Sequence, residues 1–429
     1  MPESQPPALT PPALIAPEPP VLAPVQRRTM VVLVIMQIIG TVGVGVAPSI
    51  GVLLAGEVTD NEAWAGLART ASTLGAALLG LPLGNLAARR GRRMALASGW
   101  WIAAAGGAIL VAAAQWNLIV PLFLGLLLIG AGSAVSLQAR FAATDLAESD
   151  HKARSLALVV WVGTLGSVLG PNLGVPGEII HRATGLTVFA GAFFLAAICL
   201  GLAGTIVFLW LRPDPLLTLQ RASPSTTAPA GKKPNPVRRI LAELRENRPA
   251  RFAVIAILTA QVVMVSIMTM TPVHIAHQGG SITLIGLTIS LHIAGMYALA
   301  PLVGFITDRY GHRPTVGAGI LIFLVSLIIG ALRPDGTGWI ITSLILLGIG
   351  WSFVNVAGSA LFSKVVSPQT RASSQGGVDA LSNLCGATAA FAAGPLLAAS
   401  SFSMLSLLAI AVLIPLTALT VSRGHTPKA

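Results

Sequence analysis

Charged residues are scarce in this chain. Asp, Glu, Lys and Arg together make up 10% of its 429 residues, whereas 54% of the residues are hydrophobic. A soluble globular domain carries roughly 25% charged residues. The composition therefore indicates a membrane protein.

Residue patterns that carry catalysis are also missing. The only cysteines, Cys199 and Cys385, lie within apolar runs, which indicates neither a disulfide nor redox chemistry. The sequence has no Walker phosphate loop, no Cys-x-x-Cys pair and no serine nucleophile elbow. His274 and His277 have a spacing that can bind a metal, but no cysteine or carboxylate accompanies them. We predict no enzyme, no metal site, no cofactor and no ATP-driven step.

The basic excess has a particular distribution. The chain carries 27 Lys and Arg against 15 Asp and Glu, and only Arg69, Arg182 and Arg333 fall in segments predicted to lie outside the cell. The remainder fall in tails, at span ends or in alternating loops, which is the positive-inside pattern. The pattern predicts a multi-pass protein of the cell membrane with both termini in the cytoplasm. Its partner is the lipid bilayer rather than nucleic acid, and we expect a monomer.

Twelve apolar runs approach the ~20 residues that cross a bilayer. Their predicted spans are 30–54, 64–87, 94–114, 118–142, 155–176, 186–211, 251–276, 283–306, 314–332, 339–363, 372–398 and 401–421.

The connecting segments define five regions. Residues 1–27 are rich in proline and predict a disordered cytoplasmic tail. Two six-span units, 28–211 and 251–421, flank a basic linker at 212–250, and 422–429 form a second tail. Within the linker, Val237 to Arg248 could form an amphipathic helix on lipid headgroups or remain a solvated connection.

A short basic turn occurs once in each unit. Gly84-Asn-Leu-Ala-Ala88-Arg89-Arg-Gly91-Arg92-Arg93 recurs 220 positions later as Gly304-Phe-Ile-Thr-Asp308-Arg309-Tyr-Gly311-His312-Arg313. Each copy joins two membrane-length runs, and glycine permits the sharp reversal. The chain is therefore expected to be two copies of one membrane unit.

The second copy resembles the G-x-x-x-D-R-x-G-R/H-R loop of the major facilitator superfamily, and the first differs from it at Ala88. The resemblance covers about residues 28–421. It implies an all-α fold with 12 transmembrane helices in two pseudo-symmetric six-helix bundles, working by alternating access. It also implies that the two loops gate the cytoplasmic side. Their gating residues would be Gly84, Arg89, Gly91, Arg92, Arg93, Gly304, Asp308, Arg309, Gly311 and Arg313.

The fifth span carries a glycine–proline pattern. Gly166, Gly170, Pro171 and Gly174 lie at helical spacing, where small residues allow close helix approach and proline bends the helix. The pattern resembles the helix-5 motif of drug/proton exporters in the superfamily, although ordinary packing would look similar. A departure occurs in the fourth span, where Leu126 stands in place of the arginine that such exporters carry. The nearest basic residue, Arg140, is predicted either to take over a coupling role or, as we favour, to anchor the helix in headgroups.

Asp379 is the only carboxylate predicted deep inside a span. Gln375 and Asn383 lie four residues to either side and share its helix face. An acid at that depth is costly and is a functional candidate, here for binding a proton. The alternatives are a structural hydrogen-bond network or a position of Asp379 nearer the cytoplasmic end of the span.

Further polar and methionine side chains mark a predicted proton and substrate pathway, either lining a cavity or contacting another helix. These residues are Gln37, Thr41, Gln261, Met264, Met268, His292 and Asn355.

We therefore predict a secondary transporter that exports small lipophilic organic compounds or drugs and is driven by the proton gradient. The alternatives are a metabolite uptake symporter or a proton-independent facilitator of the same fold.

Overall fold

The structure is a computed structural model, and it describes residues 22–61, 63–148, 151–222, 247–366 and 371–422. The predicted N-terminal tail up to residue 21, linker residues 223–246 with all but the last two residues of the predicted surface helix, and residues 423–429 lie outside this range. Fifteen α-helices and no strand occur within it. They are α1 (Leu22–Val44), α2 (Val52–Thr59), α3 (Ala63–Trp116), α4 (Ile119–Ala142), α5 (Lys152–Leu169), α6 (Gly174–Thr184), α7 (Val188–Trp210), α8 (Pro215–Ala222), α9 (Arg248–His277), α10 (Ile282–Tyr297), α11 (Ala300–Tyr310), α12 (His312–Leu332), α13 (Thr337–Val365), α14 (Arg371–Ala399) and α15 (Phe402–Val421).

Eleven stretches of the described chain are long and apolar enough to cross a membrane. The longest is α3, whose 54 residues would extend roughly 80 Å if straight, more than twice the thickness of the hydrocarbon core. Gly91 interrupts it with φ 87° and ψ 171°. The twelfth predicted crossing falls within α3 and stays a prediction.

The first and the fifth predicted spans each contain a break at a proline. A π-helical turn, Ala47–Gly51, separates α1 from α2 and contains Pro48. A 3-10 turn, Gly170–Leu173, separates α5 from α6 and contains Pro171. The fifth span therefore departs from α-helical geometry at the predicted position, because proline lacks the backbone donor that the α-helix needs.

Two large hydrophobic cores divide the chain. The first is built from residues between Val32 and Leu211 and contains the fully buried Trp100 and Phe193. The second is built mainly from residues between Phe252 and Leu416. This division agrees with the two predicted bundles, while the exact region boundaries stay predictions.

The two basic turns repeat in three dimensions. Gly91 and Gly311 both have positive φ, 87° and 92°. Residues 81–90 and 301–310 also show the same order of buried, half-buried and exposed positions. We call the side of the molecule that carries these turns the arginine face, and the other side the opposite face.

The halves contact each other toward the opposite face. Thr70 of α3 donates a hydrogen bond to the Ala387 carbonyl of α14 (2.9 Å). A side chain at Gly66 would overlap the Ala390 carbonyl, and one at Gly394 would overlap that of Ala63. These backbones are therefore in direct contact.

A second contact joins the break after α5 to α10. Asn172 donates to the Ser290 hydroxyl (2.7 Å), which donates to the Val168 carbonyl (2.5 Å). Between the described residues, the hydrogen bonds that join the halves all lie on this side. On the arginine side, a Cβ added at Gly84 or Gly304 would have no atom within 4 Å. The interior is therefore closed at the opposite face.

Candidate functional site

Asp379 faces the space between the halves. It lies eight residues into α14, about 12 Å along the helix axis, and is exposed, as is Asn383 one turn later. Its carboxylate interacts electrostatically with Arg140 of α4, in the other half. The expected headgroup anchor Arg140 therefore points its charge inward.

Gln375 does not join Asp379 in a network. Its side chain donates to the Ser363 hydroxyl of α13 (2.6 Å), so it fixes α14 against a neighbouring helix of the same half. Asn383 has no hydrogen-bond partner among the described residues and remains available beside Asp379.

Aromatic side chains form one wall of the interior. Tyr297 of α10 packs against Trp351 of α13 with ring centroids 5.7 Å apart and planes at 68°. The Trp351 indole N–H donates to Gln261 Oε1 of α9 (3.2 Å). Gln261 and Tyr297 are half-buried, so both keep surface toward the interior.

Arg69 belongs to the same region. Its guanidinium interacts electrostatically with Tyr297 and with His292. It forms no ion pair among the described residues. Because Thr70 bonds to α14 at the closure, Arg69 lies next to the closed end of the interior.

Gln37 and Thr41 lie at a helix contact rather than in this space. Both are buried, and the Thr41 hydroxyl approaches the Gly163 carbonyl of α5 (2.9 Å). Side chains at Gly166 and Gly170 would overlap α1, and one at Gly174 would overlap Ile282 of α10. The helix-5 glycines therefore let α5 pack closely on α1 and then reach the second half.

Three further predicted pathway residues are packed inside the second half. His292 is fully buried, and its Nδ1 pairs with the Leu344 carbonyl (2.7 Å). Met264 and Met268 belong to the second core. Asn355 is half-buried and has no hydrogen bond among the described residues. Helical spacing did not distinguish a helix face packed against a neighbouring helix from a face that lines the space between the halves.

The first basic turn is held by two carboxylates. Arg92 Nε and Nη2 donate to Asp145 (2.8 and 3.2 Å). Asp214, just before α8, accepts from the Arg93 backbone N–H (2.7 Å). Asp214 therefore supplies an acid at the turn that lacks one at position 88.

The second basic turn is held differently. Arg313 donates to the Ser422 carbonyl (3.2 Å) and lies over the Phe252 ring. Asp308 is exposed and forms no hydrogen bond or ion pair among the described residues. Neither Arg89 nor Arg309 forms an ion pair there.

A separate cavity of about 460 Å³ lies on the opposite face between α2 and α9, and Glu57, Asp60 and His277 line it. His274 lies nearby, where it pairs with the Pro334 carbonyl (2.7 Å) and stacks on Phe402. His274 therefore connects the end of α9 to the loop between α12 and α13 and to the start of α15.

Sequence patterns alone missed three side chains of the interior, namely Arg69, Tyr297 and Trp351. An arginine about one turn inside a predicted span was the available signal for Arg69. Tyr297 and Trp351 carried no signal, because an aromatic residue in an apolar run is ordinarily packed in the core.

Known proteins resemble this chain in both sequence and fold. The sequence model of the family described as Major Facilitator Superfamily matches residues 29–281 and 266–428. The chain is 37% identical over 405 residues to the uncharacterized MFS-type transporter YdeG of Bacillus subtilis, covering 93% of both chains. It is 29% identical over 408 residues to the riboflavin transporter RfnT of Brucella anthropi, covering 94% of this chain and 98% of that one.

Solved structures show the same fold at low identity. A bacterial homologue of the human lysosomal transporter Spinster, in an inward-facing and unoccupied conformation, matches with a TM-score of 0.73 at 15% identity, covering 93% of this chain and 96% of that one. The nucleoside transporter NupG matches with a TM-score of 0.69 at 16% identity, covering 94% and 100%.

Proposed function

Because the chain belongs to the Major Facilitator Superfamily and is a membrane transporter rather than an enzyme, we propose that it exports small organic compounds in exchange for protons. Transport proceeds by alternating access, with the arginine face in the cytoplasm as the positive-inside rule requires. In that orientation the described conformation opens inward. The proton gradient drives the cycle, and the protein works as a monomer in the cell membrane.

The observation that carries the proton-coupling proposal is that Asp379 lies close enough to Arg140 of the other half for the two charges to attract each other, without forming a direct ion pair. The two charges come from different halves, so their attraction changes whenever the halves move apart or together. Protonation of Asp379 removes that attraction. A group placed in this way can link proton binding to the rearrangement.

Exchange requires that proton and substrate compete. We propose that the substrate binds beside ionised Asp379, with Asn383 contributing hydrogen bonds, and that its binding releases the proton. The helix-5 glycines support an exporter, because they allow α5 to contact both α1 and α10 at the closed face.

Uptake of a metabolite together with a proton is the second candidate. Arg140 favours this candidate. If a substrate binds the Arg140 guanidinium, Asp379 loses the positive charge that attracts it, and its carboxylate must then be neutralised by a proton. The similarity to a riboflavin transporter supports testing a vitamin-like substrate for this candidate.

Asp379→Asn separates the candidates, since the amide mimics the protonated acid. The test loads cells that express the chain with the dye Hoechst 33342 and measures accumulation with and without a protonophore. We expect the wild type to lower dye accumulation only while a proton gradient exists, and D379N to lose this effect. Asp335→Asn, a matched change at an exposed acid of the opposite face, should behave like the wild type.

The other outcomes identify the alternatives. Gradient-dependent accumulation of labelled riboflavin, with binding to purified D379N as tight as to wild type, would favour uptake with a proton. Transport that ignores both the protonophore and the substitution would identify a facilitator and contradict any role of Asp379 in coupling.

A further inference from the structure

Three interior side chains have no part in the proposed proton step. Tyr297, Gln261 and Arg69, which we call the ring subsite, come from three different helices, two in the second half and one in the first. They lie between Asp379 and the closure at Thr70. This is where a compound entering from the arginine face stops.

The ring subsite offers an aromatic surface of fixed orientation. Trp351 is 9% exposed and packs against Tyr297 in a T-shaped contact with ring centroids 5.7 Å apart. Tyr297 itself keeps exposed surface. A planar ring can stack on Tyr297 without the entropy cost of fixing the tyrosine side chain in one orientation, and this favours binding.

Gln261 offers hydrogen-bond donors. Its Oε1 is occupied by the Trp351 indole N–H, so the free half of the amide is the Nε2 group. Gly386 of α14 packs against one side of this amide, where a Cβ would approach Nε2 to 3.2 Å. Nε2 donates to no acceptor among the described residues and the side chain is half-buried, so a ligand carbonyl can accept from it on its accessible side.

Arg69 offers further donors and no acceptor. Its guanidinium forms no hydrogen bond or ion pair among the described residues, although its backbone carbonyl accepts from Ser72 and Thr73. An unpaired arginine at membrane depth is costly and usually marks a substrate pathway. Arg69, Arg140 and Asp379 together leave one net positive charge in this region, which favours ligands that present hydrogen-bond acceptors.

We propose that the ring subsite binds compounds with a planar aromatic ring and hydrogen-bond acceptors on one edge, the ring against Tyr297 and the acceptors toward Gln261 and Arg69. This inference rests on the proposed transport of small organic compounds and names their class.

Three matched probes test the ligand class. Phthalimide has an aromatic ring fused to an imide, cis-hexahydrophthalimide keeps the imide but lacks the aromatic ring, and indane keeps the aromatic ring but lacks acceptors. A ligand that binds the native state raises the midpoint of thermal unfolding. We expect phthalimide to raise the midpoint of the purified full-length protein and the other two probes to leave it unchanged.

Variants assign the effect to the subsite. Tyr297→Leu removes the ring but keeps an apolar side chain and should weaken phthalimide binding about fivefold, whereas Tyr297→Phe should retain it. Arg69→Gln should also weaken binding. The matched controls are Tyr310→Leu and Arg182→Gln, both at exposed positions, which should not change it.

Equal shifts with all three probes, no shift with any of them, or full binding by Tyr297→Leu would overturn the proposal. The measurement uses no membrane and no gradient. Failure of the phthalimide binding test would therefore not affect the proton-exchange test. Loss of proton coupling in Asp379→Asn would likewise not affect the binding test.

Discussion

Gly91 has a backbone conformation that other residues resist. Its φ of 87° and ψ of 171° lie in a region essentially restricted to glycine, where a side chain costs roughly 1–3 kcal/mol. A Cβ there would also overlap the Asp214 carboxylate, which holds the Arg93 amide. We expect Gly91→Ala to lower the midpoint of thermal unfolding strongly, because it adds strain and breaks this contact.

Two other glycines of the turns serve as controls. Gly311 has the same backbone conformation, but a Cβ there would only approach Pro314 at 3.9 Å, and Gly84 has open space around it. The unfolding midpoint should therefore fall most in Gly91→Ala, less in Gly311→Ala and least in Gly84→Ala. Equal losses at Gly91 and Gly311 would contradict the role given to Asp214.

Residue types predicted the site only in part. Asp379 could be found from the sequence, because a carboxylate inside an apolar run is rare and costly. The inward orientation of Arg140 could not be found, because a long side chain near a span end can extend either way. Gln37 and Thr41 show the same limit, since spacing defines a helix face but not the neighbour that it meets.

The contact of α3 with α14 closes the opposite face. Gly66 and Gly394 bring the two backbones into contact, and Thr70 adds a hydrogen bond. A branched side chain at Gly66 would push the helices apart at this point. We expect Gly66→Val to increase access to the interior from the opposite face by about tenfold.

Access can be measured with a cysteine at the exposed Asn383. The reporter Asn383→Cys is placed in a chain in which Cys199 and Cys385 are replaced by serine, and a maleimide that cannot cross the membrane is added to either face. Gly56→Val is the matched control, because Gly56 lies near the same face with no atom within 4 Å of a Cβ. Equal labelling in both variants would show that the α3–α14 contact does not close the interior.

Helix positions followed from the sequence more closely than helix breaks. The run predicted at 251–276 agrees with α9, Arg248–His277, because its length is set by the bilayer. The first run was predicted to begin at residue 30, but α1 begins at Leu22, since the polar residues Gln26, Arg27 and Arg28 are compatible with a helix outside the apolar region. The π-helical turn at Ala47–Gly51 carried no signal beyond Pro48.

The whole molecule combines a repeated unit with an asymmetric state. The same turn occurs in both halves with the same backbone geometry, yet in the described part of the chain the hydrogen bonds between the halves all lie toward the opposite face. Gly84 and Gly304 lie on the arginine face, where the halves are separated, and a Cβ at either position would have no atom within 4 Å. In the alternate state the halves must close on this side, and these two glycines then provide the room for it.

That requirement gives a prediction for the complete cycle. Gly84→Leu should fold normally, because the new side chain meets open space, but it should obstruct closure of the arginine face. We expect transport of any substrate to fall at least about tenfold, while Asn383→Cys remains reactive from the arginine face and unreactive from the opposite face. Gly66→Val should instead make Asn383→Cys reactive from the opposite face, since it disfavours closure there. If Gly84→Leu transports normally, the arginine face does not close around position 84, and the two-state cycle must use a different contact on that side.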